Sequence, residues 1–342
     1  PGAGQITQDP MGRKCANTWD GWHLPDVDAR LVAERGAGLF VKHVEYLFRE
    51  QAGGFLNWLA HMMQFPGELP HTAWLHVSSR EGTGRGWMGI VLAALTRGYC
   101  AHGMDLVKLL ESQFNQTLAG KMLVTVDEIR EGGGAQWSHP QKLKSLITED
   151  VRTINAKHMA PFVEKNCCRW LLFSNHRSAI PLQSGDRRMH VVANDGAPMD
   201  AGYYQRLYAA AKDPAFIRAV AEFLLSRDIL EYDASAPAEM TKTKLQMIEG
   251  MQSDVVGTFK GAYEDYPYPL VTNVALRAMV GMDAVKSDMQ FSHALEDAGW
   301  VRIARFAPER GKSVRVYCRD KDVELYGEMI PSTLREHMPT TD

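Results

Sequence analysis

A glycine-rich stretch, Ser78-Ser79-Arg80-Glu81-Gly82-Thr83-Gly84-Arg85-Gly86, sits between a short apolar run, Ala73-Trp74-Leu75-His76-Val77, and a helix-like segment from Trp87 to Leu95. Strand, loop and helix in that order can hold a phosphate, because glycines let backbone N–H groups converge on an anion at a helix start. The fullest form of such a loop is G-x-x-x-x-G-K-[ST], where Lys reaches the outer phosphates and the hydroxyl binds Mg²⁺. Here Gly84 fits, while Ser79 stands for the first Gly, Arg85 for Lys and Gly86 for the hydroxyl residue. Thr83 comes one residue too early to supply that hydroxyl. Taken alone, the stretch reads equally as a plain turn from strand to helix.

Three further groups carry chemistry. Asp127-Glu128 closes the apolar run Met122-Leu123-Val124-Thr125-Val126, a Walker B arrangement in which the first acid orients Mg²⁺ and the second polarises a water. Asn175 ends a third run, Trp170-Leu171-Leu172-Phe173-Ser174. Asp186-Arg187-Arg188 follows it, and a guanidinium fork there could reach a phosphate across a subunit boundary. Each has a bland reading as a strand end or a charged loop; their order along the chain favours the joint one. The stretch from Lys142 and Lys144 to Lys157-His158 is basic, either a solvated helix face or a nucleic-acid contact.

The elements that must position these groups follow from periodicity. Apolar positions from Val41 to Met63 recur at helical spacing with a break at Gly53-Gly54, predicting two helices after an irregular leader. Short apolar strands alternating with helices predict a mainly parallel sheet covered on both faces, with ligands just past the carboxyl ends of the strands. Helical patterns resume at Tyr203–Ala211 and Ile217–Leu225, and Ala234-Ser235-Ala236-Pro237-Ala238 reads as a linker. Helices near 243–256, 272–280 and 291–298 then precede a hairpin of strands 300–306 and 313–318, the order of a winged helix. Its turn carries Arg310 and Lys312, which could track duplex DNA through phosphate contacts. The expected divisions are a front segment 1–65, an α/β core 66–233 and a small domain 240–342.

Composition narrows the classes. The 342 residues are 45% hydrophobic and 23% charged, which suits a globular protein with a sizeable core. No apolar run is long enough to span a membrane. Net charge is -3, from 38 basic and 41 acidic side chains, so a nucleic-acid surface has to be local. Five cysteines with no CxxC fit unpaired thiols in a reducing compartment, and no histidine spacing suggests zinc. The opening Pro1-Gly2-Ala3-Gly4 lacks an initiator Met, which leads us to expect a piece of a longer polypeptide.

Phe114-Asn115 and Leu118-Ala119-Gly120-Lys121 leading into Leu123–Glu128, then Lys144 to Lys157, Ser174-Asn175, Asp186-Arg187-Arg188, Pro237 and Thr241–Lys244, resemble the ATPase core of superfamily-three AAA+ helicases, the helicase halves of phage, virus and mobile-element primase-helicases. The resemblance covers roughly Val41 to Ser253. It implies an α/β AAA+ P-loop ATPase core with a C-terminal winged-helix-like domain, acting on single-stranded or forked DNA as a homo-oligomeric ring, a hexamer, in the cytoplasm of a bacterial host, with an upstream primase-polymerase domain. It implies ATP and Mg²⁺ as cofactors, a nucleotide loop at Gly82, Thr83, Gly84, Arg85, Gly86 and Trp87, metal-binding Asp127, water-positioning Glu128, a γ-phosphate sensor at Asn175 and an arginine finger at Arg187 or Arg188. Lys142, Lys144, Lys157, His158, Arg310 and Lys312 are the implied DNA contacts. A replication initiator or loader that binds nucleotide with little turnover is the alternative. A small-molecule kinase would leave Asp127-Glu128, Asn175 and the basic hairpin without a joint role.

Overall fold

The computed structural model describes residues 4–8, 12–129, 140–177, 179–180, 182, 185–280, 288–306 and 314–326. They form two compact units that divide after Leu245.

The first unit opens with a small antiparallel pair, β1 (Ile6–Gln8) and β2 (Lys14–Ala16), followed by α1 (Ala29–Arg35), α2 (Gly38–Phe48) and α3 (Ala52–Gln64). The break between α2 and α3 falls on a 3-10 turn at Arg49–Gln51, not at Gly53-Gly54 as expected. Arg49 takes a positive φ of 51° there, while Gly54 lies inside α3 against the Trp74 ring. Next come β3 (Ala73–Val77), α4 (Arg85–Leu95), β4 (Cys100–Ala101), α5 (Leu106–Glu111), β5 (Leu123–Ile129), α6 (Pro140–Thr148), a hairpin of β6 (Val151–Ile154) and β7 (Phe162–Lys165), then β8 (Arg169–Ser174), β9 (Met189–Ala193), α7 (Ala201–Ala210) and α8 (Pro214–Ser226).

Five of these strands make one parallel sheet in the order β4-β5-β8-β3-β9. Every residue of β3 and β8 is buried, which is why both read as unbroken apolar runs instead of alternating ones. Helices α2, α3, α4, α7 and α8 share one apolar cluster with β3, β5, β8 and β9, anchored by Phe48, Phe55, Trp58, Trp74 and Trp87. Phe40 to Met63 of α2 and α3 thus contribute to the same cluster as the sheet. The chain starts the sheet inside it, runs out to the edge at β4, returns through β5 and β8, and crosses to the far edge at β9. Strand β8 thereby stands between β3 and β5.

In the second unit, α9 (Lys242–Asp265), whose first residues belong to the first unit, leads to β10 (Leu270–Thr272), α10 (Asn273–Val280), α11 (Asp288–Asp297), β11 (Trp300–Phe306), β12 (Val314–Arg319) and α12 (Val323–Tyr326). The three strands pair antiparallel in the order β10-β12-β11. Phe259, Leu276, Phe291, Leu295 and Trp300 fill its core, and Trp300 Nε1 donates to Phe259 O at 2.9 Å. Among the described residues no helix is long and apolar enough to cross a membrane. The five cysteines are unpaired.

Candidate active site

The loop after β3 is held at both ends. Its first residues lie at the carboxyl edge of the sheet, where Ser78 N donates to Ser174 O at 3.0 Å, and where Ser79 N and Ser79 Oγ donate to Asp195 Oδ1 at 3.0 and 2.9 Å. Arg177 Nη2 donates to the other oxygen of Asp195 at 2.9 Å. The Ser79 N–H, with Arg177 beside it, holds the Asp195 carboxyl below its ordinary range. At the other end Gly84 takes φ +86° as the residue before α4, a left-handed turn that suits glycine. A Cβ there would also stand 2.6 Å from His43 Cε1, so glycine is required twice over.

His43 is the brace for that turn. Its Nε2 lies 3.2 Å from Gly84 O and its Nδ1 3.1 Å from Tyr203 Oη, while Trp87 packs edge-on against the ring. Because a carbonyl only accepts, Nε2 carries the proton and Nδ1 accepts from the tyrosine. Burial pushes its pKa down to about 4, which keeps the ring neutral.

Helix α4 starts without a side-chain cap and without an acidic residue in its first turn. Its leading N–H groups are thus open to water or to an anion. Thr83, just before it, has a hydroxyl that is buried and lacks a partner among the described residues. Trp87, in contrast, is a core residue: it is fully buried and its Nε1 donates to Leu207 O at 2.6 Å. Its side chain is therefore taken up by the core beside His43, so the expected nucleotide contact would fall to its backbone N–H in the first turn of α4. Gly86 is exposed and brings no hydroxyl.

Arg85 reaches across to β8. Nη1 donates to Ser174 O at 2.8 Å and Nη2 to Asn175 Oδ1. Asn175 Nδ2 in turn lies 3.5 Å from Glu128 Oε1. This contact is possible because β8 separates β3 from β5, so Asn175 stands between the loop and the acids. Burial lowers the Arg85 guanidinium from its usual value, against the pull of Glu128 and Glu81.

The acids themselves sit on a register shift. Val126 pairs with Leu172 but Ile129 pairs with Ser174, so β5 holds one residue more than β8 across this interval. A bulge of this kind turns both Asp127 and Glu128 to solvent where strict alternation would bury one. Asp127 Oδ1 lies 3.9 Å from His102 Nδ1, and that nitrogen is 2.7 Å from Thr125 Oγ1. Space for the pair comes from glycines: a Cβ on Gly89 would fall 2.5 Å from His102 Cε1, and one on Gly103 3.2 Å from Asp127 Oδ2. Partial burial raises the Asp127 carboxyl, with His102 opposing. Among the described residues no cluster of three or more His, Cys, Asp or Glu could hold a metal.

Arg187 and Arg188 lie at the other end of the sheet, since Ala73 N at the start of β3 donates to Arg188 O at 2.8 Å. A five-residue strand of about 16 Å separates them from the loop of their own chain. Lys142 is spent on structure: its Nζ donates to Leu110 O and Ser112 O at 2.9 and 2.7 Å, closing the end of α5, so it is not a free cation. Lys144 is half-buried on α6. Lys157 and His158 are exposed at the tip of the β6–β7 hairpin, where His158 takes φ 64°. The hairpin is tied at its root by buried Arg152, which binds Glu164 Oε1, Leu118 O and Lys121 O, and by Asn115 against Thr153 and Asn155. Arg310 and Lys312 lie outside the described residues. Asp195, Arg177, His43 and His102 had not been singled out from the sequence. Asp195 had a signal, since Met189–Ala193 followed by Asn194-Asp195 is again a strand with polar residues at its end.

A family model described as a family of unknown function, DUF5906, matches residues 76–188, which take in the loop, the acids, the hairpin and Asn175. A DNA primase-polymerase of Nitratiruptor phage NrS-1 is 29% identical over 141 residues, 41% of this chain and 19% of that protein. The chain thus matches about a fifth of that relative's length. The solved C-terminal region of NrS-1 superposes over 93% of this chain and 83% of its own, with a TM-score of 0.58 at 18% identity. A second solved structure of that region, described as an A form, gives the same score over 84% of its length. The two chains share a fold.

Proposed function

We propose that this chain is an AAA+ type ATPase that works as the replicative DNA helicase of a phage or mobile element, as a ring on single-stranded or forked DNA in the cytoplasm of a bacterial host. The observation that carries the reading is the bridge at Asn175, which joins Arg85 of the loop to Glu128 of the neighbouring strand end. A side chain in that place can register whether a terminal phosphate lies between loop and acids. The similarity to a primase-polymerase fits a priming domain upstream in the same polypeptide.

The residues present suit ATP. The uncapped N-terminus of α4, the left-handed Gly84 and the unpartnered Thr83 hydroxyl form a cradle for phosphate oxygens. Gly82, Gly84, Arg85 and Gly86 would line it, and Asp127 would hold Mg²⁺, which neutralises phosphate charge when bound. Glu128 orients the attacking water, and Arg187 or Arg188 of an adjacent copy approaches from outside, as their place at the far end of the sheet requires. Lys157 and His158 on the hairpin, with Lys144, supply phosphate contacts to the DNA strand. The element order and β10-β12-β11 pairing of the second unit support a winged helix, with Arg310 and Lys312 in its wing.

One observation favours a second reading, an initiator or loader that binds nucleotide with little turnover. Gly86 lacks the metal hydroxyl, and Arg85 is already bonded to Ser174 and Asn175. ATPase assays with and without single-stranded DNA, paired with imaging of particles in ATP and DNA, separate the two. The helicase reading expects stimulated turnover and closed rings. Tight nucleotide binding without turnover would favour the loader, and turnover indifferent to DNA would overturn both.

A further inference from the structure

The turn that carries Arg187 and Arg188 is gripped from beneath by the segment that ends the first unit. Lys244 is fully buried, and its Nζ donates to Asp186 O at 2.6 Å and stands 3.3 Å from Asp186 Oδ1. The same Oδ1 accepts from Arg188 N at 3.1 Å and Met189 N at 2.9 Å. Ala238 N donates to Arg187 O at 2.8 Å, and Thr241 Oγ1 donates to Val191 O at 2.7 Å. An ammonium is rarely placed where no water reaches it, because desolvation works against it unless its partners are well aligned. Here its hydrogen bonds go to the residue that shapes the turn.

The arginine side chains are treated in the opposite way. Arg187 is exposed, and the Nε of Arg188 is enclosed with no partner among the described residues. A backbone fixed from below and an exposed Arg187 side chain suit a group offered to another molecule.

We infer that Lys244 is a positioning residue for the Arg187-Arg188 pair, clamping the Asp186 turn so that a guanidinium reaches the nucleotide bound by an adjacent copy of this chain. The inference rests on the shared-site reading proposed above. Lys244 touches neither nucleotide nor DNA; it sets where the finger stands.

Complementation between subunits tests it. Lys244→Met removes the ammonium and keeps the stem. The double variant Lys244→Met with Asp186→Asn leaves no unpaired buried charge and retains an acceptor for Arg188 N and Met189 N, which protects the fold. Both are expected to bind ATP as the parent does and to hydrolyse it at least tenfold more slowly. Mixing either with a Glu128→Gln variant should restore turnover, because the second subunit lends an intact finger to the first subunit's intact acid. A merely destabilised protein would not be rescued in this way. Parental turnover in the double variant, or no rescue of either while an Arg188→Ala variant is rescued, would overturn the role of Lys244. Failure of Arg187→Ala and Arg188→Ala alike to be rescued, with subunit exchange verified, would bring down the shared site and the inference with it.

Discussion

Glu128 and Arg85 meet at Asn175 yet do different work, and substitutions should separate them. Glu128→Gln keeps the shape and loses the acceptor that orients water, so turnover should vanish while nucleotide affinity is retained. Equilibrium binding beside a turnover assay checks this, and loss of affinity in a folded variant would make Glu128 structural. Arg85→Ala removes a charge-assisted contact of about 1.5–3 kcal/mol, so ATP should bind about tenfold more weakly or worse. An unchanged Kd would mean that the loop does not hold phosphates. The sequence drew attention to Glu128 because polar residues past strand ends in parallel sheets are placed to meet ligands, and to Arg85 because it opens a helix after a glycine-rich loop. His43 and His102 could not, since their partners, Gly84 and Thr125, lie 41 and 23 positions away and only the folded helices bring them together.

Helix α4 offers a test at the level of an element. A glycine inside a helix ordinarily costs about 1 kcal/mol against alanine, so Gly89→Ala should stabilise an isolated helix. Here the added Cβ would strike His102 and push it from Asp127. We expect Gly89→Ala to lower both melting temperature and turnover, and the pair Gly89→Ala with His102→Ala to regain the melting temperature without the turnover. Additive losses in that cycle would show that the two residues do not share the space. The hairpin supplies another: Lys157→Ala should cut DNA stimulation of the ATPase and lower the salt slope of DNA binding by about one, leaving DNA-free turnover intact. The β6–β7 hairpin was not legible as strands, because β6 is only four residues long and turns Arg152 inward and Val151 outward, the reverse of an apolar alternation. Strands β3, β5 and β8 were, because burial on both faces forces continuous apolar runs. The α2–α3 break was misplaced for a related reason: Gly53-Gly54 suggests a turn locally, and packing against Trp74 overrides it.

For the molecule as a whole, two buried histidines and one half-buried one bear on its stability at low pH. Burial pushes His43 and His190 down to about 4 and His76 to about 3, each from an ordinary 6.5. Between those values the unfolded chain binds protons that the folded chain refuses, so stability is complete above about pH 6.5 and falls as pH drops toward 4. Each group contributes a slope of up to about 1.4 kcal/mol per pH unit. Thermal melts at pH 7.5 and pH 5 should differ accordingly, and His76→Gln should flatten the difference. An identical difference in that variant would place the titration elsewhere. The sequence changes period past residue 240, and the structure divides into its two units after Leu245. That α2 and α3 pack into the cluster with the sheet was not legible, because an amphipathic helix shows that it packs but not against what.

The order in which the ribosome delivers the sheet is awkward. Strand β3 pairs with β8 and β9, as in Trp74 with Leu171 and Ala73 with Met189, and both partners lie about a hundred residues later. At about 5–20 residues per second, β3 emerges about 5–20 s before the first of them exists. During that interval Ala73-Trp74-Leu75-His76-Val77 is an apolar segment with both edges open, the kind that nucleates aggregates. The helices made before it, α2 and α3, carry Phe48 and Phe55, which meet Trp74 edge-on in the finished fold. They can shelter one face of β3 while it waits. Chains stalled before residue 169 should therefore stay dispersed with α2 and α3 present and aggregate when translation begins at residue 66, a difference that ribosome-bound sedimentation would record.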